Sequence, residues 1–213
     1  MSQPILTPFR GTTFAVVTSW GTGAAITGIT NASPAVVTRV AHGLADGDVV
    51  KHAGIVGMTE LNSRICVVDV LSVDTYALVG VDSLNFGAYV SGGTVSKATL
   101  SQTCQLTGYQ GPTGSTPSST VDTNCGTSKT YGNPQPGTVT LAFAEASTAF
   151  VTALKTARAT VDQIALVTTL PLSRGKTVDI GTVVATDSNA TANGNWTGGA
   201  TIERDFERID VAV

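Results

Sequence analysis

From about residue 26 to residue 97, short β-branched stretches alternate with turn residues at an interval of about ten positions. The stretches are "AAITGIT", "AVVTRVAH", "GDVVKHAGI", "SRICVVDVL", "TYALVGV" and "GGTVSKA", each bounded by Gly, Asn, Asp or Pro. Such spacing predicts a small all-β barrel or sandwich, because branched side chains suit a pleated surface and the punctuating residues close tight turns. "MTELN" (58–62) fits a single helical turn between two of these strands. Before them, "GTTFAVVTSW" (11–20) predicts a strand that ends at the glycine-rich turn "GTG".

The periodicity changes beyond residue 107. Residues 107–137 are so rich in Gly, Pro, Ser and Thr that they predict a connection with no core of its own. A loop that long is usually functional, and often becomes ordered only against a partner. Residues 143–160 then predict the one clear helix, with Phe150, Val151, Leu154 and Ala157 as its apolar stripe. Glu145 falls in its first turn and Lys155 and Arg158 in its last, which suits the helix dipole. Strands are expected at 137–143, 162–170 and 177–186, and again over 199–213. In the last segment Ile202, Phe206, Ile209 and Val213 would also fit a helix, but "NGNWTGG" precedes it as a hairpin turn would. The expected fold is mainly β, with a single flanking helix.

Composition narrows the function. Charged residues make up 13% of the chain, with a net charge of −3 and a pI near 5.2. A surface so poor in charge suggests that much of it is hidden against other subunits. No Lys/Arg cluster is available to neutralise phosphates, so tight binding of nucleic acid is not expected. No basic start followed by an apolar core marks a signal peptide, and no long apolar run offers a membrane span, so folding in a reducing cytoplasm is expected. Cys66, Cys104 and Cys125 are odd in number and widely spaced. They read as buried free thiols, with a Cys104–Cys125 bridge as the alternative.

Candidate chemistry concentrates in "AHGLADGDVV" (41–50), which carries His42, Asp46 and Asp48, with His52 just beyond. A metal or catalytic site needs three or four converging ligands and groups that orient them. The chain has only 2 His, and Gly43, Asp46, Gly47 and Asp48 have the chemistry of a hairpin tip. No nucleophile elbow or P-loop occurs, and "GTGAAITG" lacks the helix that a dinucleotide loop requires. No catalytic residue, cofactor or metal is therefore expected.

Two resemblances cover most of the chain. Through "AVVTRVAHGLADGDVV", "GMTELN", "TYALVGVDS" and "SGGTV", residues 26–97 resemble the small β module of many phage structural proteins, itself similar to the first catalytic-cysteine half-domain of ubiquitin-activating enzymes. Asn62 is followed by Ser63 where that module usually has Gly. The remainder, residues 1–25 and 98–213, resembles the major tail tube protein of long-tailed phages, through "VDTNCGTSKTYG…PGTV", then a helix and returning strands. Asn124 departs from the Asp-Thr-Thr that the family often has. The resemblance implies a discontinuous tail tube domain, a β-sandwich or barrel with one flanking helix, into which the 26–97 module is inserted as an outward decoration. It also implies homo-hexameric rings, stacked into a tube in the virion tail after assembly in the host cytoplasm. Genomic DNA would pass through without tight binding, and the partners would be tape measure and tail terminator or initiator proteins. The stacking arm would comprise Tyr109, Gln110, Pro112, Asp122, Thr123 and Tyr131. Acidic residues lining the lumen could be drawn from Asp122, Asp179 and Glu203.

Two other functions compete with that expectation. A tail decoration or host-surface adhesion protein would need an aromatic platform, for which Tyr76, Phe86 and Tyr89 are the candidates in the module. An enzyme would have to work through His42 and Asp46.

Overall fold

The computed structural model describes residues 9–103, 105–112, 114–116, 118–123, 126–133, 135–144, 148–172, 174–190 and 196–211. The fold is mainly β: one large antiparallel sheet, one helix and a small two-stranded sheet. Strand β1 (Thr13–Trp20) leads through β2 (Ala24–Ala25) into the module strands β3 (Gly28–Ile29), β4 (Val36–Thr38), β5 (Val49–Val56), β6 (Ile65–Val70) and β7 (Thr75–Leu78). The expected helical turn is a 3₁₀ turn at Thr59–Leu61. Strand β8 (Ser91–Thr103) then returns alongside the entering chain.

β8 joins the two halves of the molecule. Its first part pairs with β5 from Val50↔Lys97 to Val56↔Ser91, and its second part pairs with β1 from Trp20↔Ala98 to Phe14↔Thr103. The 97/98 boundary expected from the sequence therefore falls within a continuous strand. β2 pairs with β8 and β3 with β4, so the order β8–β5–β6–β7–β4–β3 curls back on itself. Ile26, Val37, Val50, Met58, Leu61, Val68, Tyr76, Leu78 and Val95 fill its interior.

After β8 come the edge strand β9 (Leu106–Gln110), the ribbon β10 (Ser118–Thr123) and β11 (Gly126–Tyr131), and β12 (Thr138–Ala144). The single helix α1 (Thr148–Thr160) precedes β13 (Gln163–Thr169), β14 (Lys176–Asn189), β15 (Thr197–Arg204) and β16 (Ile209–Val211). These complete the order β8–β1–β13–β14–β15–β12–β9, with β16 on the end of β14. The terminal segment is strand, as its hairpin signal implied. It breaks between β15 and β16, and its last two residues lie outside the described ones.

Two sequence expectations are corrected. Residue 143, expected both to end a strand and to begin the helix, is strand, and β12 runs on through residue 144. Val139, Leu141 and Phe143 are buried with period two, and pairing to β15 on one side and β9 on the other fixes that alternation. Glu145 lies outside the described residues, so only Arg158 of the expected dipole charges is placed in an end turn. The 107–137 segment is not structureless either, since it contains the end of β9 and the whole ribbon. Thr120, Thr123, Thr127 and Thr130 support strands, although Gly and Pro dominate the composition around them.

The module does not simply project from the rest of the chain. In β6, Cys66 and Val68 face the module core, while Ile65 and Val67 join a separate buried cluster with Val49, Ala165, Val167, Val178 and Ile180. In β13, Ile164 and Leu166 face α1, through Phe150 and Leu154, while Ala165 and Val167 face the module. Runs of consecutive apolar residues in "ICVV" and "IALV" are the consequence, because both faces of each strand are buried.

Candidate functional site

His42 and His52 are structural. His42 is buried. Its Nδ1 accepts the Leu44 amide at 3.0 Å, so its Nε2 is the protonated nitrogen and donates to the Ser72 carbonyl at 2.8 Å. Asp46 Oδ1 accepts the Val70 amide at 2.7 Å, and Asp48 Oδ2 accepts the Ala45 amide at 2.8 Å while pairing with Lys97 at 2.6 Å. The two imidazole rings flank Tyr76, 5.3 Å away for His42 and 6.3 Å for His52, while Asp46 and Asp48 fasten the hairpin to Val70 and Lys97. His52 lies fully buried with Nε2 at 3.1 Å from the Tyr76 hydroxyl, and burial pulls its pKa down to about 4. Among the described residues no group of three or more His, Cys, Asp or Glu is placed to hold a metal ion.

Cys66 is also closed off. Burial pushes its thiol up to about 12, against a smaller opposing effect of Arg64. A thiol so protonated and inaccessible is a core side chain, not a nucleophile. Cys104 and Cys125, and hence any bridge between them, lie outside the described residues. Tyr76 is fully buried, and Phe86 and Tyr89 are half-buried against the module core, so these three rings form no exposed platform.

The arm residues fall into two groups. Asp122 and Thr123 close the ribbon, paired with Thr127 and Gly126, and Tyr131 sits at its other end opposite Ser118. The ribbon forms a sheet by itself. Its side chains at Ser118, Ser119, Thr120 and Gly126–Tyr131 are exposed, and Lys129 lies 5.4 Å above the Tyr131 ring. The second group lies at the root. Tyr109 in β9 packs its ring 5.1 Å from Phe14, Gln110 pairs with Thr140, and Pro112 borders a cavity of about 390 Å³. The Gln135 amide donates to the Ser115 carbonyl at 2.9 Å, which draws the two legs of the arm together.

The root is organised by residues that the sequence did not single out as a group. Asp179 is fully buried in β14, flanked by Val178 and Ile180. It accepts Arg208 Nη2 at 2.9 Å and Nε at 3.3 Å, accepts the Tyr109 hydroxyl at 3.4 Å, and pairs with Arg204 Nη1 at 3.5 Å. Arg208 also donates to the Tyr109 hydroxyl, and Arg204 donates to the Pro136 carbonyl. Burial, then the Asp179 carboxylate, raise the Tyr109 phenol above its ordinary range. Burial disfavours the charge of Arg208, but its hydrogen bond to Asp179 and that carboxylate's charge outweigh this and raise its pKa. The readable signal was an Asp inside the apolar run "TVDIGTVV", since a buried carboxylate demands a cation. Asp179 is consequently shut away from solvent, whereas Glu203 is exposed.

Residues 32–98 match the ubiquitin-activating enzyme E1 FCCH domain family. The inserted module is therefore FCCH-like, at nearly the boundaries its strand spacing implied. No curated protein matches the chain. No helix among the described residues is long and apolar enough to cross a membrane.

Proposed function

We propose that the chain is the structural subunit of a phage tail tube, assembling as stacked hexameric rings around a lumen that conducts DNA into the host. It works in the virion tail without catalysis or cofactor, beside tape measure and terminator or initiator proteins. The ribbon carries this reading. A solitary two-stranded hairpin is marginal in water, and one with every described side chain exposed gains stability by lying against another molecule. The position of β9 at the end of the sheet among the described residues, low charge and abundant threonine add to the case, because strand edges are templates for neighbouring copies. The FCCH-like module is held rigidly on the outside of such a subunit by the cluster it shares with β13 and β14.

The test is negative-stain electron microscopy of the purified protein across a concentration series, beside a variant with residues 116–134 replaced by a short Gly-Ser turn. Hollow tubes or six-fold rings are expected for the natural chain, and folded monomers for the variant. Normal tubes from the variant would remove the arm's role. Strictly monomeric natural protein would favour a tail decoration or host-surface adhesion protein instead.

A further inference from the structure

We propose that Asp179, Arg204 and Arg208 form the joint that sets the direction in which the arm leaves the body, which makes them positioning residues for assembly; their role in assembly rests on the reading of the arm given above. The arm runs from 111 to 135, and the residues on either side of it meet at one carboxylate. Tyr109, just before the arm, donates its hydroxyl to Asp179 and accepts Arg208. Pro136, just after it, is held through its carbonyl by Arg204, which pairs with the same Asp179. Arg204 further donates its backbone amide to the Gly137 carbonyl at 3.0 Å.

The apolar core cannot set the arm's direction by itself. The ribbon positions 118–120 and 126–131 are exposed, so these give the arm no hydrophobic anchor. Its orientation must be imposed at the root. There, the planar guanidinium fork of Arg208 on one buried carboxylate, with Arg204 paired to the same group at 3.5 Å and donating to the Pro136 carbonyl, restricts both distance and angle in a way that apolar contacts do not. Asp179 itself is fixed by the ladders of β14 with β13 and β15. Removing its charge leaves the buried Arg204 and the half-buried Arg208 without that counter-charge, and they relax toward solvent. Both legs of the arm are then released at once.

Hydrogen exchange, read by mass spectrometry on the full-length chain, tests this in Asp179→Asn and Tyr109→Phe. In Asp179→Asn, amides over 106–112 and 135–140 should exchange at least about ten-fold faster, through local opening of the root. Amides of β5 and β6 in the module should be unchanged. In Tyr109→Phe the acceleration should be confined to 106–112, because the Arg204–Pro136 contact survives. Uniform acceleration across the chain, or none at the root, would overturn the joint. If Asp179→Asn does not fold, Tyr109→Phe decides: unchanged exchange at 106–112 sinks the proposal. Exchange is read on soluble monomer, so natural protein that makes no tubes would defeat the tube reading while the joint is still judged. Tubes formed at natural yield by an Asp179→Asn chain with a loosened root would instead defeat the positioning role alone.

Discussion

Acidification should destabilise this protein through one buried imidazole. His52 sits in β5 with no exposed surface, its Nε2 near the Tyr76 hydroxyl and its Nδ1 without a partner. Burial lowers its pKa from 6.5 to about 4, so the folded state holds it neutral where the unfolded chain would bind a proton. Its contribution to stability is complete above pH 6.5 and is lost as the pH falls toward 4. Each tenfold weakening of proton binding corresponds to about 1.4 kcal/mol, so the full loss is about 3 kcal/mol, with about 2 kcal/mol already gone at pH 5. The assay is urea denaturation at pH 8 and pH 5 for the natural chain and for His52→Gln, which can still reach the Tyr76 hydroxyl. Every other side chain is common to the two proteins, so its contribution cancels in the comparison. The natural chain should lose about 2 kcal/mol more than the variant between the two pH values. Equal losses in the two proteins would refute the assignment of a neutral, desolvated His52.

Further expectations concern packing and backbone. Gly57→Ala would place a Cβ 2.0 Å from the Ala88 carbonyl at a φ of +94°, and should cost more than about 3 kcal/mol in chemical denaturation, or abolish folding. Ser63 has a φ of +66°, the left-handed region, so Ser63→Gly should stabilise the module by about 0.5–1 kcal/mol, seen as a raised melting temperature. Leu154→Ala should cost about 3 kcal/mol in urea denaturation, because Leu154 is 1% exposed on the inner stripe of α1. Cys66 should react with an aromatic disulfide reagent only after unfolding, and rapid native-state labelling mapped to Cys66 by peptide mass spectrometry would contradict its burial.

Much of the local architecture could be read from neighbouring residues alone. Strand spacing over 26–97, the 3₁₀ turn, the apolar stripe of α1 and the hairpin chemistry at 43–48 all depend on contacts within a few positions. Ser63, at the position where the resemblance led to an expectation of Gly, has the left-handed backbone that suits Gly. Where the helix begins was less legible: Phe143 and Ala144 fit a helical window equally well until β9 and β15 supply partners. The ribbon was hidden by its composition, because Ser, Thr and Gly can form a loop or a strand with little difference in local preference.

Residue pattern was therefore enough to read a mainly β chain with a helix, and a module resembling the FCCH domain. How the pieces meet was settled by long-range packing. The module docks because β6 and β13 each carry a second apolar face, and one strand cannot reveal which distant strand will cover it. The arm root exists because residues 109, 179, 204 and 208, on four separate segments, converge on one carboxylate that has been taken out of water. Burial makes that charge require its cations, and burial is a property of the assembled chain, not of the stretch in which Asp179 is written.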